Sequence, residues 1–261
     1  MKLAKCVCIE PMYADLPFLR RFEAAKKDGF DFVEFWGWTD KNPDAVKKAA
    51  SDAGVIINGF NGDAGYSLID PTHKKPYIDF LRKSVDAALK IGALSVTIHS
   101  NALGDGGIVV NHYTELSDTV KKCSMFETLL ECARIAENSG IAMNLEALNI
   151  ISDHVGNYLI HTGDAAEMTR LIGSPKLKIL YDVYHMQLNE GNICGTISAN
   201  IDQIGHVHAA DVPGRHEPGT GEINYHKVFE HIETLGYSGC IGFELFPKTS
   251  IKEAVRAIMS Y

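Results

Sequence analysis

The chain has 261 residues, which fits one large domain or two small ones, and its 46% hydrophobic and 22% charged residues are ordinary for a soluble globular protein. The formal net charge of -8 disfavours a nucleic-acid-binding face, because neutralising phosphates requires a local surplus of lysine and arginine. No apolar run approaches the roughly 18 residues of a membrane helix, and the N-terminal MKLAKCVCIEPMY lacks an apolar secretion segment, so we expect a cytoplasmic protein that binds neither nucleic acid nor membrane.

Eight short apolar runs, rich in β-branched residues and bounded by turn residues, predict eight strands. These runs cover residues 3–9, 31–36, 55–60, 94–100, 141–147, 177–183, 205–211 and 239–245. Amphipathic stretches between them predict helices. The first helix is expected to begin after Asp15 as its N-cap and to end at Gly29, and two later helices are expected to end at Gly92 and Gly140.

The regular alternation of strands and helices favours a closed parallel (β/α)8 barrel. An open, doubly wound sheet is the alternative, but its nucleotide-binding form loses support because no GxGxxG follows the first strand. No linker or low-complexity segment interrupts the chain, so we expect residues 1–261 to form a single barrel domain.

The six cysteines form no CxxC pair, and several of them fall within apolar strand or helix patterns. This distribution favours buried, reduced thiols over disulfides, as in a cytosolic protein. The cysteines are Cys6, Cys8, Cys123, Cys132, Cys194 and Cys240.

Polar residues end four consecutive predicted strands, where a barrel carries its catalytic groups. They are Glu146, Asp182, His208 and Glu244. Any one of them could be a helix cap or a salt-bridge partner, but together they would repel one another in an apolar barrel without a cation. Three carboxylates and one imidazole suit one divalent metal ion, Mg²⁺ or Mn²⁺, with Co²⁺ also compatible, whereas zinc usually takes fewer and softer ligands.

Four further polar residues are candidates for binding substrate. His185 could donate to a substrate oxygen or to a ligating carboxylate, and His99 could be a partner of a metal ligand or a substrate donor. Arg215 and Glu217 fall in a glycine-rich loop expected over the pocket, where a rigid guanidinium suits a substrate carboxylate or hydroxyls. The structural alternatives are a core histidine and a salt bridge within the loop.

Aromatic residues follow or lie near the ends of the early strands and could wall the opposite side of the pocket. They could equally be ordinary packing at the barrel mouth. These residues are Tyr13, Trp36, Trp38 and Phe60.

The chain resembles the xylose-isomerase-like TIM-barrel superfamily over nearly its whole length, and most closely the hydroxypyruvate isomerase family. The motifs that carry the resemblance are LPFLRRFEAAKKDGFDFVEF, NLEALN, YDVYHMQ, GRHEPGTGEINY and GFELFP. The resemblance implies one divalent metal on Glu146, Asp182, His208 and Glu244, with the two glutamates also acting as acid and base. It implies substrate contacts from His185 and Arg215.

The implied activity is the isomerisation of a small α-hydroxy carbonyl compound through an enediolate. The substrate would be a hydroxy-oxo acid or a ketose. A homo-oligomer is a compatible assembly. His208 is a departure, because hydroxypyruvate isomerases often carry glutamine there and the related ketose 3-epimerases use histidine. A ketose 3-epimerase or sugar isomerase therefore stays open as an alternative. Endonuclease IV-like repair enzymes, C-glycoside-cleaving subunits and a metal-free noncatalytic subunit are less favoured.

Overall fold

The computed structural model describes residues 3–261, and its eight strands pair in chain order, each parallel to the next, until the last closes the ring onto the first. This confirms the closed (β/α)8 barrel and excludes the open sheet. The strands are β1 (Ala4–Cys8), β2 (Phe32–Phe35), β3 (Ile56–Asn61), β4 (Ser95–His99), β5 (Ala142–Glu146), β6 (Leu177–Asp182), β7 (Ile204–His208) and β8 (Cys240–Phe243).

Helices cover the outside of the barrel. They are α1 (Ile9–Met12), α2 (Arg21–Lys27), α3 (Pro43–Ala53), α4 (Lys74–Ile91), α5 (Asp118–Ser139), α6 (Thr162–Ile172), α7 (Val183–Asn189), α8 (Ile193–Asn200), α9 (Tyr225–Thr234) and α10 (Ile251–Met259). Within residues 3–261, none of these helices combines the length and the apolar character needed to cross a bilayer.

Glycine ends the long helices as predicted. Gly92 follows α4 with φ +82°, and Gly140 follows α5 with φ +79°, and each donates its N–H to the carbonyl four residues back. A residue with a side chain adopts this left-handed backbone at a cost, which explains the repeated glycine between helix and strand. Ser117 starts α5 by accepting from the N–H of Val120.

The helix predicted to follow Asp15 corresponds to α2 and begins later than predicted. Pro17 keeps an extended backbone (ψ 137°), and a 3₁₀ turn over Phe18–Arg20 precedes α2, so Asp15 caps nothing. Proline disfavours a helical residue before it, which separates Asp15 from the helix. Gly29 lies one residue beyond the C-cap of α2, with φ +97°.

All six cysteines are free thiols, in agreement with the prediction of reduced cysteines. Four are buried, namely Cys6, Cys8, Cys132 and Cys240. The prediction of burial is wrong for Cys123, which is exposed near the start of α5, and Cys194 is half-buried. The apolar pattern of α5 therefore marks the buried face of that helix only from Ser124 onward.

Candidate metal and substrate site

The four strand-end residues predicted from the sequence converge at the C-terminal mouth of the barrel. Glu146, Asp182 and His208 end β5, β6 and β7, and Glu244 directly follows β8. The barrel register places Asp182 opposite His208 on neighbouring strands. One ligand atom from each of the four lies within 4.8 Å of the others, so a single cation could touch all four.

The donor atoms of this cluster are buried and incompletely paired. Glu146 is 4% exposed and Asp182 1%. Nδ1 of His208 lies 3.2 Å from Glu244 Oε2 and 3.9 Å from Asp182 Oδ2. Among the described residues, Glu146 Oε1 is a buried oxygen without a hydrogen-bond partner. A buried carboxylate oxygen of this kind is costly unless it meets a cation, so the donor set fits a divalent ion that prefers oxygen ligands.

The charges of the cluster shift its pKa values in opposite directions. Burial raises the pKa of Asp182 to about 6, with Arg215 and His208 opposing that rise. Burial also disfavours the Glu244 carboxylate, but Arg215 and His208 hold the pKa of Glu244 well below its usual range. Burial lowers the pKa of His208, yet the neighbouring Glu34 and Glu244 raise it well above its ordinary value. Positive partners thus oppose the effect of burial on the pKa values of Asp182 and Glu244.

Asp182 is oriented by the helix that follows it. Its Oδ1 accepts from the backbone N–H groups of Tyr184 (2.8 Å) and His185 (3.3 Å) at the start of α7. This N-cap leaves Oδ2 pointing toward His208 and Arg215. One carboxylate therefore both begins a helix and offers an oxygen to the site.

His185 lies inside the site, and its protonation is fixed by Asn149. The Asn149 side-chain oxygen accepts backbone N–H groups, and its Nδ2 lies 2.7 Å from His185 Nδ1, which must therefore accept. Burial and Arg215 hold the pKa of His185 well below its ordinary value. The neutral ring thus directs Nε2–H toward Asp182 Oδ2 (3.5 Å) and Glu146 Oε1 (3.9 Å).

His99 joins the site through Glu146. Its Nε2 lies 3.2 Å from Glu146 Oε2, and its Nδ1 lies 3.1 Å from Asp63 Oδ1. Burial lowers the pKa of His99, but Asp63 and Glu146 outweigh burial and raise it to about 10. This arrangement holds one oxygen of Glu146 while leaving the other without a hydrogen-bond partner.

Arg215 enters the site from the loop after β7. Its Nη2 donates to Glu244 Oε2 (2.6 Å) and Asp182 Oδ2 (3.2 Å), and its guanidinium carbon lies 5.1 Å from the centroid of the Tyr184 ring. The backbone of Arg215 is left-handed, with φ +54°. This strained conformation directs the side chain inward, toward the carboxylates rather than along the loop.

Glu217 contacts the neighbouring loop. Its carboxylate is buried and accepts from the backbone N–H of Lys248 at 2.9 Å, which ties the loop after β7 to the loop after β8. A salt bridge from Arg215 to Glu217 or Glu222 was the structural alternative. Arg215 instead pairs with Glu244 and Asp182, and the Glu222 carboxylate accepts from Gln187. Of the four predicted substrate residues, the structure brings His185, Arg215 and His99 to the cluster.

Of the four predicted aromatic residues, Trp36 is the one whose polar atom reaches the cluster, where its indole N–H donates to Glu244. Trp38 donates to Ser84, and Tyr13 donates to Asp28. Phe60 stacks on Phe35 with ring centroids 5.4 Å apart. These contacts support ordinary packing for the other three.

Glu34, Asn149 and Asp211 are site-supporting residues that the sequence analysis missed. Glu34 lies in the middle of β2, 6% exposed, with its carboxylate between two histidine rings. Burial opposes its charge, but His208 and His206 hold the pKa of Glu34 well below its usual range. The available signal was a carboxylate between apolar residues in VEF, which a buried strand does not tolerate without partners.

Asp211 organises the loop that carries Arg215. Its Oδ1 accepts from the N–H groups of Val212 (2.9 Å) and Ile223 (3.0 Å), and its Oδ2 accepts from those of Gly219 and Gly221 (both 2.9 Å). Asp211 has no solvent exposure. A single carboxylate thus satisfies four backbone donors and closes the loop into a ring.

Asp211→Ala is expected to lower the free energy of unfolding by about 3 kcal/mol, because it leaves buried backbone donors unpaired. Denaturant titration followed by circular dichroism measures this change. Asp31→Ala is the control, since Asp31 forms an exposed pair with Lys26 and should change stability by no more than about 0.5 kcal/mol. Equal stabilities of the two variants would show that Asp211 does not hold the loop.

The chain has close counterparts in sequence and in fold. A family model described as xylose isomerase-like TIM barrel matches residues 22–261. The chain is 31% identical over 261 residues to a hydroxypyruvate isomerase from Escherichia coli (strain K12), covering 96% of each protein. It is 30% identical over 259 residues to a 2-oxo-tetronate isomerase from Cupriavidus necator, covering 96% of this chain and 95% of the relative.

Solved structures match the whole barrel. The crystal structure of an AP endonuclease, family 2, from Brucella melitensis superposes with a TM-score of 0.90 at 23% identity, covering 100% of this chain and 99% of that chain. A D-psicose 3-epimerase with D-tagatose from Clostridium cellulolyticum H10 superposes with a TM-score of 0.79 at 20% identity, covering 97% and 89%. At these identities the likeness concerns the fold.

Proposed function

We infer that this chain, which belongs to the xylose isomerase-like TIM barrel family, is an isomerase that transfers a proton within a small α-hydroxy carbonyl compound such as hydroxypyruvate. The isomerase class follows from the curated relatives, which are named as isomerases. The observation that carries the proposed chemistry is the convergence of Glu146, Asp182, His208 and Glu244 within 4.8 Å at the barrel mouth.

We assign these four residues as ligands of one divalent cation, Mg²⁺ or Mn²⁺, because three carboxylates and one imidazole match the ligand preferences of these ions. When bound, such a cation supplies Lewis-acid stabilisation of negative charge on the neighbouring carbonyl and hydroxyl oxygens of the substrate.

Glu146 is the residue best placed to remove the carbon-bound proton. Its Oε2 is held by His99, and its Oε1 has no partner among the described residues. Trp36, His208 and Arg215 hold the Glu244 carboxylate in position. Glu244 starts without a proton, so it takes the proton of the substrate hydroxyl and returns it to carbon, while the proton on Glu146 passes to the former carbonyl oxygen. Two carboxylates with different surroundings can in this way act as base and acid.

His185 and Arg215 supply donors to the substrate. The neutral His185 ring presents Nε2–H to the space beside Glu146 and Asp182, where a substrate oxygen would gain negative charge. Arg215 carries a fixed positive fork that suits the carboxylate of a hydroxy-oxo acid. We therefore favour a hydroxy-oxo acid over a neutral sugar as substrate.

A ketose 3-epimerase is the second candidate, and His208 is the specific observation that favours it. Return of the proton to the neighbouring carbon gives isomerisation, whereas return to the opposite face of the same carbon gives epimerisation. Both outcomes use the same pair of carboxylates, so the substrate decides between them.

Solvent deuterium exchange tests both candidates. With Mg²⁺ or Mn²⁺ present, we expect the protein to introduce deuterium beside the carbonyl of hydroxypyruvate or a related oxo-acid, as read by proton NMR. Chelation with EDTA should remove the exchange, and re-addition of the ion should restore it. Exchange at C3 of a ketose, with none in the oxo-acids, would select the epimerase. Absence of exchange across both panels would reject the proposed chemistry.

A further inference from the structure

We propose that Glu34 is a positioning residue for the metal site, which fixes the His208 ring with Nδ1 as the atom offered to the cation. This inference rests on the proposed function, because it assumes that His208 is a ligand. It concerns β2, a strand that contributes no ligand to the cluster at the barrel mouth.

The geometry separates the two nitrogens of His208. Glu34 Oε1 lies 3.1 Å from His208 Nε2, on the side of the ring that faces the barrel interior. Nδ1 faces the other way, 3.2 Å from Glu244 Oε2 and 3.9 Å from Asp182 Oδ2. The ring therefore spans the distance between a buried carboxylate below and the cluster above.

The two ring nitrogens of His208 face different groups. Each lies beside a carboxylate, but only Nδ1 also faces Asp182, and so the cluster at the barrel mouth. When Nδ1 gives its lone pair to a cation, the hydrogen of the neutral ring is left on Nε2, and Glu34 Oε1 is the acceptor that faces it at 3.1 Å. His208 is 7% exposed and Glu34 6%, so water is a poor substitute for this partner. Carboxylate partners of ligating histidines typically change metal affinity 10- to 100-fold.

Glu34 is itself held from a second side. Its Oε2 lies 3.0 Å from His206 Nε2 and 3.4 Å from Asn58 Nδ2. His206 lies two residues before His208 on β7, so both rings point to the same, interior face of the strand, with His206 one layer deeper. The carboxylate is fixed by these contacts before any cation arrives.

Because Gly242 on β8 has no side chain, it leaves room for the Glu34 carboxylate. A Cβ built at this position would clash with Glu34 Oε1 and would lie 2.7 Å from His208 Cδ2 and 2.8 Å from His206 Nε2. Such contacts are too short for a side chain, so glycine is needed here for close approach. Gly242→Ala is therefore expected to displace Glu34 together with the neighbouring His208 and His206 rings, without removing any charge.

Glu34, His206 and His208 could instead hold a second cation, since their donor atoms also lie within 4.8 Å of one another. That arrangement would require His208 to give both ring nitrogens to metal ions. A protonated Nε2 that donates to Glu34 is the simpler assignment, and the binding stoichiometry separates the two.

Calorimetric titration of the purified, chelator-treated full chain with Mn²⁺ tests the proposal. We expect one site in the native protein and 10- to 100-fold weaker binding in both Glu34→Gln and Gly242→Ala. Glu190→Gln is the matched control, because Glu190 binds Thr162 away from the cluster, and its affinity should equal that of the native protein. Circular dichroism confirms folding of each variant.

Long-range proton–nitrogen NMR spectra of the histidine-labelled, Mg²⁺-loaded native protein provide a readout that needs no variant at Glu34. The signals of His208 are assigned by their loss from the spectrum of His208→Gln. They should show a hydrogen on Nε2. A hydrogen on Nδ1 in the loaded protein would overturn the proposal.

The remaining outcomes are distinguishable. If the native protein binds no Mn²⁺ or Mg²⁺, the proposed metal site fails, and this inference fails with it. If the native protein binds Mn²⁺ and Glu34→Gln binds it equally well, only the role of Glu34 is refuted, whatever the affinity of Gly242→Ala, because that alanine also meets the His208 ring. Two ions in the native protein, with one lost in Glu34→Gln, would establish the second cation site instead.

Discussion

Glu146→Gln is expected to lower turnover by about 10³-fold, since a positioned general base typically contributes 10²- to 10⁴-fold. Glutamine keeps the size of the side chain and an oxygen for coordination, but it cannot accept the carbon-bound proton. Because Arg215 contacts Glu244 and Asp182 and not Glu146, KM for a hydroxy-oxo acid should stay near the native value. Steady-state kinetics and the rate of deuterium exchange measure the two effects separately.

Glu244→Gln should lower turnover to a similar extent and also raise KM, because it removes the main partner of Arg215. The comparison of the two variants therefore tests the different roles assigned to the two glutamates. Glu190→Gln serves as the control for loss of a carboxylate outside the site. Near-native turnover in either Glu146→Gln or Glu244→Gln would refute the two-glutamate mechanism.

Arg215→Ala is expected to reduce kcat/KM for a hydroxy-oxo acid by about 10²- to 10³-fold, because removing one partner of a buried charge pair costs roughly 2–5 kcal/mol. For a neutral ketose the loss should be smaller, since no substrate carboxylate loses its partner. Parallel kinetics on the two substrate types measure this difference, which also identifies the preferred class.

The same variant separates substrate binding from metal binding. Removal of the guanidinium frees Glu244 Oε2 and Asp182 Oδ2, which it contacts at 2.6 and 3.2 Å. Mn²⁺ should therefore bind Arg215→Ala at least as tightly as the native protein. Arg215→Lys keeps the charge but loses the planar fork, so it should recover only part of the activity. Loss of Mn²⁺ binding in Arg215→Ala would show that the arginine supports the metal site instead.

The barrel and the four proposed ligands were predictable because both depend on local patterns. Period-two apolar runs and glycine-terminated helices specify the strands and helices one at a time. In a parallel barrel every strand ends at the same face, so a polar residue at each strand end must converge with the others. Asp182 and His208 illustrate this, since adjacent parallel strands place them opposite each other.

The missed residues act through contacts that no local pattern contains. Glu34 meets His206 and His208 across 172 and 174 positions of the chain, inside the barrel. Asp211 binds backbone N–H groups, which every sequence possesses, so its role depends on the path of the loop. The contact of Glu217 was missed for the same reason, because the Lys248 backbone that donates to its carboxylate comes from the next loop.

The placement of the two tryptophans allows occupancy of the site to be followed by tryptophan fluorescence. The chain contains two tryptophans, and Trp36 is 40% exposed with its indole N–H on Glu244, while Trp38 binds Ser84. Indole emission depends on the polarity and charge around the ring, so entry of an ion or substrate beside Glu244 would alter the signal of Trp36. Replacing Trp38 with phenylalanine would leave a single fluorophore at the barrel mouth, through which occupancy could be followed in real time without a label.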